Sequence, residues 1–450
     1  MPKTNMSNHI TYHYPNPSSL VSKKSGDEFL LAQYNEVIPN TAPCFFWGRL
    51  TNPFITARCL ITLSHIVQSS FNLSPFQWAQ LKDPIVTAGN DKIRFEGFSH
   101  CAGVYARVDV LPDGHDGEFL ENGTTNVDFN TPMIGALGRV GKQSQVTLSV
   151  GQKEVSLSHA GQKVVERKVP LPTKWIKGLS TVQLYLADSE PQLKLSKIQA
   201  LQLFRAIPKG KTKNDYFLFM RGNQPILSPT RQQQAICIGG IHRLRLLEPL
   251  IPHIDYATVY AHTDNQATTW QLYFGPVRFT FSLSRDAWRG FSGEGAGLEA
   301  LIADVPEALV QRFDNFSYAN QEFNPTLLAV EQGIDFGTMG NLSARLSAMG
   351  MLGYDVDENH FFYRRLPFKL NRIMGLNPRM KNAEKLLAEG KVEIVDRKPE
   401  RIEAKVLGSG IYHTVVLEAE RHRCTCTWYA KNQGERGLCK HVLAVKKLIG

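Results

Sequence analysis

Within the last twenty-seven residues of this 450-residue chain, Cys424-Thr-Cys426 is followed by twelve residues and then by Cys439-Lys-His441. No other feature constrains the fold as tightly, because four such side chains must converge on one point if they bind a metal. Alternate residues of a strand share a face, so Cys424 and Cys426 are expected to project together. A Cys-x-His pair entering a short helix supplies the other two donors from a loop and the first helical turn. Three thiolates and one imidazole fill the tetrahedral shell that structural Zn2+ takes, with no position left for water or substrate. The expected site holds shape and does no chemistry. His413 and His422 stand nearby, but four donors already satisfy the metal.

The segment Cys-Thr-Cys-Thr-Trp-Tyr-Ala-Lys-Asn-Gln-Gly-Glu-Arg-Gly-Leu-Cys-Lys-His-Val-Leu-Ala-Val, residues 424 to 445, resembles a SWIM zinc finger, whose pattern is Cys-x-Cys, a variable gap and Cys-x-His. The approach fits as well: Lys405 to Tyr412 and the alternation onward to Leu417 read as strands about a Gly-rich turn. Thr427 stands where such fingers often have Pro, which affects a turn and no ligand. The resemblance covers residues 371 to 450, and the rest of the chain is similar only in general to bacterial SWIM-finger proteins. It implies zinc binding, with nucleic-acid or protein contact as the usual role. It also implies work with AAA+ ATPases and von Willebrand-type partner proteins, which no residue here indicates.

Charge separates the chain into unequal parts. Residues 361 to 450 hold 19 Lys plus Arg against 9 Asp plus Glu, whereas residues 1 to 360 hold 32 of each sign. All of the net +10 therefore lies in the C-terminal fifth. Such asymmetry points to an anionic partner, most simply DNA or RNA; a solvated basic face is the plainer alternative. Arg421, Arg423, Lys431, Arg436, Lys440, Lys446 and Lys447 are the candidate phosphate contacts. Trp428 serves either the finger's core or a base-stacking platform, and burial is the commoner use of an aromatic.

With 42% apolar residues the chain can build several cores. It contains no apolar run long enough for a membrane helix, and the polar start is unlike a signal peptide, so the cytoplasm is expected. Cys44, Cys59, Cys101 and Cys237 are scattered, which suits reduced thiols better than a disulfide framework.

The expected architecture is α+β and multidomain. Residues 1–28 are polar and read as a flexible arm. Residues 29–180 form a first α+β lobe, with a helix over 53–67, strands near 92–95 and 103–108, a helix starting at Pro132, and strands over 145–150 and 154–159. Residues 181–297 form a second lobe, with a helix over 241–250 and strands over 256–261, 268–274 and 277–283. The recurring order is similar in outline to the helix-plus-hairpin lobes of sliding DNA clamps, a clamp-like duplication that no residue motif carries. Residues 298–370 turn helical and end in two strands about Glu358-Asn359, a winged-helix-like region that serves either nucleic-acid contact or, as many such modules do, protein docking only; Arg345, Arg364 and Arg365 are the residues that would matter for the first use. Residues 371–450 are the finger domain, of the C-terminal ββα type.

Other motifs are weaker. Gly210-Lys-Thr212 lacks the earlier glycine of a phosphate loop, since Arg205 stands there and Pro208 interrupts. Phe291 to Gly297 reads as a hinge. Asp113, His115 and Asp116 match no calcium-loop or zinc-hydrolase spacing and read as a flexible acidic loop. No catalytic constellation stands out, so the chain is expected to be a non-enzymatic zinc-binding protein that contacts nucleic acid or protein. An interaction adaptor with a purely structural finger is the other reading.

Overall fold

Alternating apolar and polar residues dominate the two lobes, and each such run becomes a strand with one greasy face. The computed structural model describes residues 19–23, 26–30, 44–69, 84–127, 129, 131–152, 154–160, 162–167, 173–286, 290–292, 305–364, 366, 378–418, 421–433 and 437–449. The chain begins with β1 (Ser19–Lys23), β2 (Gly26–Leu30), β3 (Phe46–Leu50), α1 (Pro53–Gln68), β4 (Ile85–Gly89), β5 (Lys92–Phe98) and β6 (Val104–Val110). It continues through β7 (His115–Phe119), β8 (Gly123–Asn126), α2 (Thr131–Arg139), β9 (Thr147–Val150), β10 (Glu154–His159) and β11 (Gln162–Arg167). Next come α3 (Thr173–Ala187), β12 (Ser189–Ser196), α4 (Lys197–Ala206), β13 (Tyr216–Arg221), β14 (Gln224–Ser228) and β15 (Ile236–Ile238). After 3-10 helices at Ile241–Leu247 and Ile251–His253 follow β16 (Tyr256–His262), β17 (Ala267–Phe274) and β18 (Val277–Ser284).

Strands from both lobes join one eight-stranded sheet in the order β12-β16-β17-β18-β6-β5-β4-β8. Its seam is the antiparallel β18/β6 pair, with Phe279 opposite Val108. The meander β4-β5-β6 on one side is mirrored by β16-β17-β18 on the other, so the strand order of this sheet is symmetric about the seam. A five-stranded sheet, β11-β10-β9-β3-β7, completes the first lobe. Pro53 at the first helical position and Asn52 as cap start α1 where the sequence expects it. That helix lays Leu60, Leu63, Ile66 and Val67 onto the core.

Several expectations change. The arm at 1–28 contains β1 and the start of β2, paired as an antiparallel hairpin. Residues 241–247 form a 3-10 helix followed by a turn, and the stretch with Asp116 is β7, paired to β3. Helix α3 crosses the 180/181 boundary. Residues 298–304, where the helical region is expected to begin, and most of the hinge at 291–297 lie outside the described residues. The four scattered cysteines are buried and form no disulfide among the described residues. Among the described residues no helix is long and apolar enough to cross a membrane.

The winged-helix-like region comprises α5 (Glu307–Asn320), β19 (Glu322–Phe323), α6 (Pro325–Gln332), α7 (Phe336–Ala348), β20 (Leu352–Asp355) and β21 (His360–Tyr363). Asn324 and Asp335 cap α6 and α7, and Gly350 takes φ +80 just after α7 ends. The wing, in the order β19-β21-β20, docks against the polar face of the eight-stranded sheet. Arg94, Arg107 and Arg278 on that face pair with Glu322 and Asp355 of the wing, and Arg364 pairs with Glu96. This disfavours the nucleic-acid alternative for the wing: Arg364 is 1% exposed, and Arg345 donates to Val305 O and Glu307. Arg365 lies outside the described residues.

The C-terminal unit has its own core. It contains α8 (Pro378–Ala388), the four-stranded meander β22 (Val392–Lys398), β23 (Arg401–Gly408), β24 (Ile411–Glu418) and β25 (His422–Cys424), then α9 (Thr427–Asn432) and α10 (Lys440–Ile449). Met380 and Leu386 of α8, Val406, Val415, Val442, Leu443 and Val445 form one apolar cluster together with the three C-terminal cysteines.

Candidate metal centre

The pairing of Val415 with Cys424 places Cys424 at the end of β25, over the sheet's core side. Cys426 has left the strand. It caps α9, and its Sγ accepts the Tyr429 N–H at 3.4 Å. The expectation that both cysteines share a strand therefore holds for Cys424 alone; the strand ends between them and the helix start turns Cys426 inward. Cys439 precedes α10 and its Sγ accepts the Val442 N–H at 3.5 Å. His441 lies in the first turn of α10. Backbone N–H groups thus point at two of the three sulfurs, which favours their thiolate form.

The donor atoms of Cys424, Cys426, Cys439 and His441 lie within 4.8 Å of one another, and all four residues are buried. Imidazole Nδ1 faces the sulfurs, 3.7 Å from Cys424 Sγ. The far nitrogen, Nε2, has no hydrogen-bond partner among the described residues. It abuts Gly408, where an added Cβ would sit 2.3 Å from it. Hydrogen bonds from Cys424 and Cys439 draw the Cys426 thiol well below its ordinary value, and the contacts with Cys426 and Cys439 push Cys424 up. Three crowded sulfurs cannot all shed protons without a cation among them, and a divalent metal resolves that conflict. Three sulfurs and one nitrogen fit Zn2+ in a closed structural site.

Residues 413–450 match the SWIM zinc finger family. That segment is a SWIM-type zinc finger. Among curated proteins none matches this chain. Among solved structures it is similar to Proliferating Cellular Nuclear Antigen from Entamoeba histolytica, at TM-score 0.37 and 9% identity, over 54% of this chain and 98% of that one. It is also similar to a PCNA2-PCNA3 complex from Sulfolobus tokodaii, at TM-score 0.40 and 9% identity, over 54% and 99%.

Around the SWIM finger, the His413 ring lies tilted against His441 with centroids 4.3 Å apart, and His422 lies on β25; neither belongs to the donor group. Trp428 is half-buried, with the Arg379 guanidinium 4.9 Å from its ring centroid. Of the basic candidates, Arg421 and Lys431 are exposed and Lys440 and Lys446 half-exposed. Arg423 pairs with Glu418 at 3.0 Å and Lys447 with Glu384 at 2.6 Å, so part of their charge is neutralised. Arg436 lies outside the described residues. Sequence reasoning missed Gly408, which it took only as part of a turn, and Arg379, whose partner is 49 positions away in the chain.

A second group, Glu322, Glu358 and His360, also brings its donor atoms within 4.8 Å. Lys92 reaches Glu322 at 3.1 Å and Glu358 at 2.5 Å, and Arg94 pairs with Glu322. Those cations fill the place a metal would take.

Proposed function

We propose that this is a non-enzymatic zinc-binding protein whose C-terminal domain contacts nucleic acid, with Zn2+ locking the strand, loop and helix that carry the basic side chains. The observation that carries this reading is the coincidence of a closed four-donor site with the fifth of the chain that holds its whole net positive charge, 19 basic against 9 acidic residues over 361–450. Arg421, Lys431 and Lys440 have no carboxylate partner among the described residues and make the leading phosphate contacts. Arg423 and Lys447 must first leave Glu418 and Glu384. Cytoplasmic placement is part of the proposal, since a reducing compartment keeps the three thiols available to zinc.

Titrating the full-length, zinc-loaded protein with fluorescent DNA and RNA across a salt series tests it. Three phosphate contacts give a log-log salt slope of about −2 to −3. Replacing Arg421, Lys431 and Lys440 together by Ala flattens that slope. Absence of binding at low salt removes the nucleic-acid reading.

A protein-interaction adaptor is the second reading, and one observation favours it. Leu327 and Val330 of α6 and Phe336 of α7 are 62%, 69% and 65% exposed, an apolar patch suited to a protein partner. The SWIM resemblance suggests AAA+ ATPases or von Willebrand-type proteins in that role. Partner capture that survives nuclease treatment and is lost in Leu327→Asp/Phe336→Asp supports this second reading.

A further inference from the structure

A cavity of about 460 Å³ opens where the two lobes meet, lined by Asn52, Phe54, Lys142, Lys197, Pro252 and His253 among others. These come from four separate places: the start of α1, the loop after α2, the first residue of α4, and the 3-10 helix Ile251–His253. The charge there has one sign. Neither Lys142 nor Lys197 has a carboxylate partner among the described residues. His253 is held below its ordinary value by burial first, and then by Lys197, Lys142 and Arg58. The α1 N-terminus adds partial positive charge, capped only by a 3.4 Å bond from the Ile55 N–H to Asn52 Oδ1.

One wall is aromatic. Phe54 meets His253 edge-on with ring centroids 5.6 Å apart, and the Arg58 guanidinium lies 5.0 Å from the Phe54 ring centroid. A bare inorganic anion would use the lysines and leave this wall unused. A flat ring carrying a phosphate would use both, and the volume suits a ligand of that size, since small-molecule sites span about 300–1,000 Å³.

From this arrangement we infer that the inter-lobe cavity binds a phosphate monoester attached to an aromatic base, that is, a nucleotide, with Lys142 and Lys197 on the phosphate and Phe54 and His253 against the ring. The site is separate from the zinc finger and independent of what the finger contacts.

Calorimetric titration of the full-length, zinc-loaded chain at low salt tests this, with adenosine monophosphate and adenosine as probes. Adenosine monophosphate binds saturably and adenosine does not at the same concentration. Lys142→Glu/Lys197→Glu weakens binding about tenfold or more, and Lys142→Gln/Lys197→Gln weakens it in the same direction with less risk to folding. The exposed pair Lys209→Glu/Lys213→Glu, an equal charge change elsewhere, leaves it unaltered. A 5′-phosphorylated dinucleotide that binds as well as the mononucleotide assigns the site to a chain end, and one that fails to bind assigns it to free nucleotides. Equal binding of adenosine and adenosine monophosphate, no saturable binding, or wild-type binding by both lysine variants overturns the inference.

Discussion

Arg278 of β18 and Asp355 of β20 pair across the junction between the eight-stranded sheet and the wing, with side chains only 2% and 1% exposed. Asp109 reaches Arg278 from the next strand at 3.2 Å, and Asp357 reaches it at 2.8 Å. Arg107 shares Asp355 at 3.3 Å and donates to Tyr354 O at 2.7 Å. A surface that alternation reserves for solvent has become an interior made of ions. Charges so placed are costly to leave single, whatever the net gain of the pair.

Removing one partner should therefore cost more than removing a surface ion pair. Asp355→Ala leaves Arg278 and Arg107 short of a carboxylate and lowers stability by about 3–5 kcal/mol. Denaturant unfolding followed by intrinsic fluorescence checks this, and a loss below about 1 kcal/mol, the surface-pair range, counts against a tight junction.

Acid should open the same junction. In Asp355, Glu96 and Glu322 burial works to raise the carboxyl value, but the neighbouring Arg and Lys side chains outweigh it and hold all three below the ordinary range. A carboxyl held low in the folded state binds fewer protons there than in the unfolded chain. Its stabilisation is complete above the unfolded value of about 4 and is lost as pH falls below that. Melting temperature should hold from pH 7 to about 5 and fall steeply below about 4; a flat profile to pH 3 contradicts this.

Gly408 reports on the finger. An added methyl would press on His441 Nε2, so Gly408→Ala must displace the imidazole or shift the β23–β24 turn. Zinc affinity measured by chelator competition should fall by about tenfold or more, in the range expected for disturbing the support of a ligand. The melting of the lobes should not change, because Gly408 lies outside their core cluster.

Unequal contributions are expected within the basic set. Arg421 stands free of carboxylates among the described residues, whereas Arg423 is held by Glu418. Arg421→Ala should weaken nucleic-acid binding more than Arg423→Ala at the same salt. Equal losses would mean that the Glu418 pairing does not survive in solution.

The four-donor cluster was legible because its chemistry is local: Cys424, Cys426, Cys439 and His441 lie within one short stretch, and few other uses need that spacing. Strands such as β16, β17 and β18 were legible from period two, and the wing from Gly350 and the apolar runs on either side of Glu358-Asn359. Lys92, Arg94 and Glu96 were not. They alternate with Ile93 and Phe95, a pattern that reads as a solvated face, yet Lys92, Arg94 and Glu96 are buried because the wing covers that side. Nothing within β5 reveals that its partner stands more than two hundred positions away, and a sequence carries no direct record of such a docking.

The central claim is that three cysteines and one histidine hold a single structural zinc. Metal analysis of the purified full-length protein beside Cys439→Ser, with limited proteolysis of both, tests it most directly. The account predicts one zinc per chain, its loss in the variant, and new cleavage between β24 and α10 while the lobes stay resistant. Unchanged zinc content in Cys439→Ser would contradict it.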